Sequence, residues 1–142
     1  MLLHHRFIEV AKRLATKTGI RDFSTDKDLT YGRALLAAIL LARIFRRLEG
    51  GFIGVMIPTS AGCVLVKCGI LMSGRTPVMI NYSTGAEQNA RYAQNKCAFK
   101  TIITSKALLE KIDCTYVDGM IYIEDIMAGL TGMQKAVAAL IA

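Results

Sequence analysis

Between positions 52 and 82 the chain places one long apolar run between two short ones. Phe52-Ile-Gly-Val-Met-Ile57 stops at Pro58-Thr59-Ser60. A longer run reaches Met72 and stops at Ser73-Gly74-Arg75, and Thr76-Pro-Val-Met-Ile-Asn-Tyr82 comes next. Neither short run alternates apolar with polar residues. Strands that read this way are covered on both faces, the condition found in parallel sheets. Parallel strands need a crossover, and the middle run has the length of a helix. The pattern predicts a βαβ unit at the centre of an α/β layer, its helix capped by Thr59 or Ser60 and ended by Gly74.

Upstream, Leu3, Phe7, Val10, Ala11 and Leu14 recur at helical spacing, with Arg6, Glu9, Lys12, Arg13 and Lys17 opposite them. This predicts an amphipathic helix that docks on the domain surface and is closed by Thr18-Gly19. Residues 20–24 and 28–31 predict a hairpin around Thr25-Asp26-Lys27. Thr30 then caps a helix over about 31–48, with Leu35, Leu36, Ile39, Leu40, Ile44 and Leu48 on its apolar side. Arg43, Arg46 and Arg47 gather near its end, where they suit the helix dipole and offer an anion a landing point. Downstream, Thr84-x-x-Glu87 fits a capping box for a helix to about Lys96. Residues 99–104 predict a strand, 105–111 a short helix and 120–123 a fourth core strand. Glu124-Asp125 opens a final helix, which Gly129 and Gly132 interrupt.

The 142 residues suffice for one domain with its own core, and at 53% hydrophobic the composition excludes disorder. The longest clean apolar runs, 34–42 and 136–142, fall short of the roughly 20 residues of a membrane span. Met1-Leu2-Leu3 is followed at once by His4, His5 and Arg6, so no secretory leader is visible and a cytoplasmic location is expected. The net charge of +7 would attract polyanions. No zinc-finger, helix-turn-helix or aromatic RNP pattern accompanies it, so no nucleic-acid partner is expected.

No catalytic, cofactor-binding or metal-ligating residue is assigned. Cys63, Cys68, Cys97 and Cys114 form no Cys-x-x-Cys pair and read as plain thiols, buried or half-buried. His4 and His5 sit together at the N-terminus, facing solvent. There is no Gly-x-Ser-x-Gly elbow, and the carboxylates are scattered. Gly50, Gly51 and Gly54 precede their strand and make no dinucleotide fingerprint; Gly129-x-x-Gly132-x-x-Lys135 has the wrong spacing for a P-loop. Lys67 reads as a snorkelling side chain. Ligands of such sheets bind beyond the C-terminal strand ends, here Pro58-Thr59-Ser60, Asn81-Tyr82-Ser83, Thr104-Ser105 and Glu124-Asp125. These side chains either line a crevice there or cap the next helices.

The order of elements resembles the beginning of the AMP-forming acyl-CoA and acyl–acyl carrier protein synthetases, the adenylate-forming superfamily. Asp28-Leu29-Thr30-Tyr31 sits where that family has a Leu-Thr-Tyr motif before a long helix. Val55-Met56-Ile57-Pro58-Thr59-Ser60 matches a strand closing on a Leu-Pro-Asn-Ser type segment, with Thr59 in place of Asn. Gly74-Arg75-Thr76-Pro77-Val78-Met79-Ile80-Asn81-Tyr82 matches the return strand. This segment, Lys100-Thr-Ile-Ile-Thr-Ser105 and Tyr122-Ile-Glu-Asp125 look most like one branch: the acyl–acyl carrier protein synthetase half of the bifunctional 2-acylglycerophosphoethanolamine acyltransferases. The match runs from about residue 7 to residue 126.

The resemblance implies an ATP- and Mg²⁺-dependent ligase that forms an acyl-adenylate from a fatty acid. The acyl group then passes to a phosphopantetheine thiol of acyl carrier protein or coenzyme A. Residues 1–142 would be the N-terminal part of its large adenylation domain, within a protein that can associate with the inner membrane. The family's phosphate loop, ribose-binding aspartate and catalytic lysine have no counterpart here and would lie downstream. The chain alone is therefore expected to be inactive, to bind no cofactor, and to self-associate through apolar surface that the rest of the domain should cover. The uncapped apolar run at 137–142 carries the same expectation of a continuing polypeptide. The alternatives are a stand-alone α/β nucleotide-binding or regulatory module, and an interaction domain without a small ligand.

Overall fold

Both short apolar runs form strands, and they pair in parallel as their pattern predicts. The computed structural model describes residues 1–129. In chain order the elements are α1 (Leu3–Arg13), a hairpin of β1 (Thr18–Asp22) and β2 (Lys27–Thr30), α2 (Tyr31–Phe45), β3 (Phe52–Met56), α3 (Ala61–Met72) and β4 (Thr76–Met79). Then come α4 (Ala86–Cys97), β5 (Ile102–Thr104), α5 (Lys106–Lys111), β6 (Met120–Tyr122) and α6 (Ile123–Ala128). The larger sheet is parallel throughout, in the order β4-β3-β5-β6.

Two cores lie on its two faces. Ile53, Val55 and Ile103 point to one side, against Leu41 and Phe45 of α2 and Val66 and Ile70 of α3. Met56, Ile102 and Met120 point to the other, against Ala86 and Ala90 of α4 and Leu108 and Leu109 of α5. The α/β layer is thus covered on both faces, which accounts for strands without alternation. Gly54 of β3 lets this sheet close up: a Cβ there would stand 2.8 Å from Ile102 and 3.0 Å from Ile80 and Phe99.

Four expectations need correction. First, Thr18-Gly19 does not end α1. The helix closes at Leu14, whose N–H reaches the Val10 carbonyl at 2.8 Å, and Thr18 and Gly19 belong to β1. Gly19 lies flat against the Tyr31 ring, leaving no room for a side chain. The hairpin correspondingly starts and ends earlier than its composition suggests. Second, no capping box opens α4. Gly85 takes a left-handed conformation (φ 63°) as the cap, and Thr84 makes no cap bond. Glu87 pairs instead with Arg91 at 3.2 Å. The loop is fixed by the Asn89 amide, which donates to the Asn81 and Thr84 carbonyls at 2.9 and 2.8 Å.

Third, the most buried face of α2 is not its large aliphatic one. Ala34, Ala37, Ala38, Leu41, Ala42 and Phe45 are buried, while Leu36 remains 48% exposed. Small residues face α3 because the two helices run close: a Cβ on Gly69 would meet the Leu41 Cβ at 2.9 Å. Fourth, β5 starts at Ile102, not at residue 99; Phe99 packs against the second core from the preceding loop. The expected interruption at Gly132, the Lys135 motif and the run at 137–142 lie outside the described residues.

Candidate functional site

β3 is flanked by β4 and β5, so the connection from β3 to β4 and the next one, from β4 back across β3 to β5, run in opposite directions. In open α/β sheets that reversal opens a ligand crevice at the C-terminal strand ends. Here polar groups at those strand ends are engaged in local bonds. The buried Thr104 hydroxyl donates across the two strands to the Met56 carbonyl at 2.8 Å. Ser60 Oγ accepts the Cys63 N–H at 3.2 Å and donates to the Pro58 carbonyl at 2.9 Å, capping α3. Ser105 caps α5 through the Leu108 N–H. Asn81 Oδ1 accepts from the Ser83 N–H and hydroxyl, a local turn. Of the two uses open to these side chains, helix capping and turn formation is the one the structure shows.

Glu124 completes the frame from the far end of the sheet. Its carboxylate accepts the N–H groups of Lys106 and Ala107 at 3.1 and 3.2 Å and the Ser105 hydroxyl at 3.2 Å. Partial burial pushes Glu124 up, but these donors and its own N–H outweigh that and hold it below the ordinary glutamate range. Beside it the Lys106 ammonium bonds Asp125 at 2.7 Å and lies 5.2 Å from the centre of the Tyr122 ring. The bond to Asp125 is the main cause of its raised pKa, opposed by some desolvation.

Two further clamps join distant segments. Asp22, only 7% exposed at the end of β1, accepts the Ala61 N–H at 2.8 Å at the mouth of α3. Its other oxygen accepts the Ser24 hydroxyl at 2.6 Å, the Ser24 N–H at 2.9 Å and the Thr25 N–H at 3.3 Å. The Ala61 N–H foremost, then the Ser24 hydroxyl, hold this carboxyl well below the usual carboxylate range; the lesser desolvation effect opposes them. A depressed pKa stabilises the fold above the unfolded value of about 3.9, and that contribution is lost as pH falls through the folded value. Asp22→Asn is therefore expected to flatten the acid limb below about pH 4, which thermal melts at stepped pH would read. Parallel profiles for both proteins would place the acid sensitivity elsewhere.

The second clamp is Arg75, inside the return-strand motif. Its guanidinium donates to the carbonyls of Ser73 and Arg46 at 3.1 Å, of Gly50 at 3.1 Å, and of Leu48. It thereby ties the end of α2 to the start of β4, while Gly74 (φ 82°) ends α3. Lysine carries the charge but not the fork. Arg75→Lys should lower stability by about 0.5–1.5 kcal/mol in urea titration, because exposed and half-buried carbonyls lose their forked donor. A loss within error would mean that water replaces the guanidinium freely. Arg46 thus enters through its carbonyl, while the side chains of Arg43, Arg46 and Arg47 stay exposed.

An apolar concavity lies under the hairpin. It has a volume of about 330 Å³ and runs between β2, α2, α3 and α6, with Leu29, Leu40, Leu65, Ile123 and Met127 in its wall and Lys27 at its edge. The four cysteines are free. Burial pushes the thiols of Cys63, Cys68 and Cys114 up, so they stay protonated and poorly nucleophilic. Among the described residues no group of three His, Cys, Asp or Glu side chains could hold a metal ion. None of their helices is long and apolar enough to cross a membrane.

This arrangement of hairpin, long helix and parallel βαβ layer is shared with part of the fold of solved adenylate-forming enzymes. No family model matches the chain. The N-terminal subdomain of Klebsiella oxytoca NpsA, in complex with 3-hydroxybenzoyl-AMSN, matches 92% of it at a TM-score of 0.74 and 14% identity. The N-terminal domain of FACL13 from Mycobacterium tuberculosis matches 88% of it at 0.72 and 15% identity. A nonribosomal peptide synthetase, FmoA3 in its AMPPNP-bound form, matches 85% at 0.72 and 19% identity. The chain covers 32%, 34% and 13% of those three chains.

Proposed function

We propose that this chain is the opening part of the large domain of an ATP-dependent acyl-activating ligase, and that its task there is scaffolding. The observation that carries this is the match of most of the chain to the fold of adenylate-forming enzymes. In this reading the described residues do not hold ATP and Mg²⁺ themselves. No phosphate loop is present among them, and Ser60, Ser105 and Glu124 are engaged as caps. The nucleotide, the metal and the chemistry would belong to downstream residues of the same polypeptide.

A fatty acid is the proposed acyl substrate, and the phosphopantetheine thiol of acyl carrier protein, or of coenzyme A, the proposed acceptor. The wording of the return strand supports the acyl carrier protein branch, and a net charge of +7 suits an acidic carrier. Contact of the parent with the inner membrane surface belongs to the same proposal. Reading the coding DNA past the Ala142 codon tests it. The expected result is an open frame with a Ser/Thr/Gly-rich loop ending in Pro-Lys-Gly within several dozen codons, and a stop codon there overturns it. The continuous polypeptide should then catalyse fatty-acid-dependent exchange of pyrophosphate into ATP, and residues 1–142 alone should not.

A further inference from the structure

Arg43, Arg46 and Arg47 concentrate positive charge that the fold does not neutralise. All three side chains are exposed at the end of α2, three and four residues apart. Cations at that spacing repel one another. A helix C-terminus carries about half a negative charge, which offsets part of one of them. Among the described residues no carboxylate forms an ion pair with any of the three; the ion pairs there join other residues. Arg75 adds a fourth positive charge beside them. Its guanidinium bonds neutral carbonyls, among them that of Arg46 at 3.1 Å, and so fixes this turn against the start of β4. Phe52, 42% exposed at the start of β3, gives the same rim an aromatic ring.

The position of this rim selects the partner. It lies at the N-terminal edge of the parallel sheet, where α2 and α3 end and β3 and β4 begin. Ligands of such sheets bind at the opposite edge. There the cation Lys106 is paired with Asp125 at 2.7 Å. A partner on the rim sits on the far side from the ligand edge. That suits a surface that holds the protein in place, and not a molecule that must reach the crevice. Anionic headgroups complement several fixed cations at once, and the headgroup boundary accepts an aromatic ring beside them.

We propose that Arg43, Arg46, Arg47 and Phe52 form a docking surface for an anionic lipid bilayer, which leaves the C-terminal strand ends facing water. This assigns a surface to the membrane contact of the ligase reading and rests on that reading for its setting. Vesicle binding is measured on the chain itself, so its failure leaves the expected coding frame standing. The test is flotation of the full chain with vesicles containing phosphatidylglycerol and with vesicles of phosphatidylcholine alone. The expected result is binding to the former only, lost as salt shortens the Debye length from about 10 Å at 0.1 M to about 3 Å at 1 M. No binding to the anionic vesicles overturns the proposal. Arg43→Gln, Arg46→Gln and Arg47→Gln together should weaken binding by about a hundredfold, at about fivefold per arginine near the surface. The control is Arg6→Gln, Lys12→Gln and Arg13→Gln in α1, which removes the same charge elsewhere and should weaken binding far less. Equal losses would assign the binding to the net charge of +7 and overturn the proposal. The chain contains no tryptophan, so Phe52→Trp gives a single reporter. Its emission should shift to the blue on anionic vesicles, and unshifted emission from bound protein overturns the seat assigned to residue 52. Retention on heparin that needs the three arginines, without vesicle binding, would assign the surface to a soluble polyanion and likewise overturns the proposal.

Discussion

Phe45→Ala is expected to remove about 3–5 kcal/mol of stability, the range for a fully enclosed aromatic ring. Phe45 is the last residue of α2 and has 0% exposure. Its ring sits in the core that joins α2 and α3 to the sheet, beside Ile53, Val66 and Ile70. Domains of this kind have about 5–15 kcal/mol in all, so the loss would be a large share of the total. With a urea slope of about 2 kcal/mol per molar, the unfolding midpoint should fall by roughly 2 M. The ring also meets α3 at Gly69, where an added Cβ would stand 3.1 Å from Phe45 Cε2. Gly69→Ala should therefore cost less stability in the Phe45→Ala background than in the wild type, a coupling that a double-mutant cycle reads directly. Additive losses would mean that the Leu41 contact, and not the ring, limits the space at Gly69.

The apolar side that the sequence predicts for α2 omits Phe45, for a physical reason. The pattern of α2 is apolar nearly all round, so periodicity alone selects the longest aliphatic side chains. The alanine stripe at positions 34, 37, 38 and 42 packs deepest because helix–helix distance rewards small residues there. Strands β3 and β4 are legible because a continuous apolar run has one common cause. The caps Thr30, Ser60 and Ser105 are legible too, since cap and helix are adjacent in sequence.

Asp22, Arg75 and Glu124 are legible only as polar residues near element ends. Each bonds backbone groups of a remote segment: Asp22 reaches Ala61, Arg75 reaches Arg46 and Gly50, and Glu124 reaches Lys106. Every residue but proline has an amide N–H and all have a carbonyl, so no residue type marks the partner. The Gly74-Arg75 wording that carries the resemblance thus has a structural use at the end of α3. Likeness to solved structures at 14–19% identity brings the fold alone.

Gly119→Ala is the other substitution expected to be severe, at about 3–5 kcal/mol. Gly119 has φ 99°, in the region that disfavours side chains, and a Cβ there would overlap the Lys100 carbonyl oxygen. The overlap is with backbone, so no rotamer change relieves it. Moving either segment would pull at the first link of the β5–β6 ladder, the Ile102 N–H to the Gly119 carbonyl at 3.0 Å. It would also strain the Gln94 amide, which spans the same loops by donating to the Lys100 and Asp118 carbonyls at 2.7 and 2.9 Å. Backbone strain of about 1–3 kcal/mol and overpacking of similar size therefore add. Gly74→Ala supplies the control. Its φ of 82° is just as unfavourable, but a Cβ there meets nothing within 4 Å, so strain acts alone at about 1 kcal/mol. Urea unfolding should separate the two variants by about 2 kcal/mol or more. Equal losses would show that Lys100 yields and that β6 is not held in register by this contact.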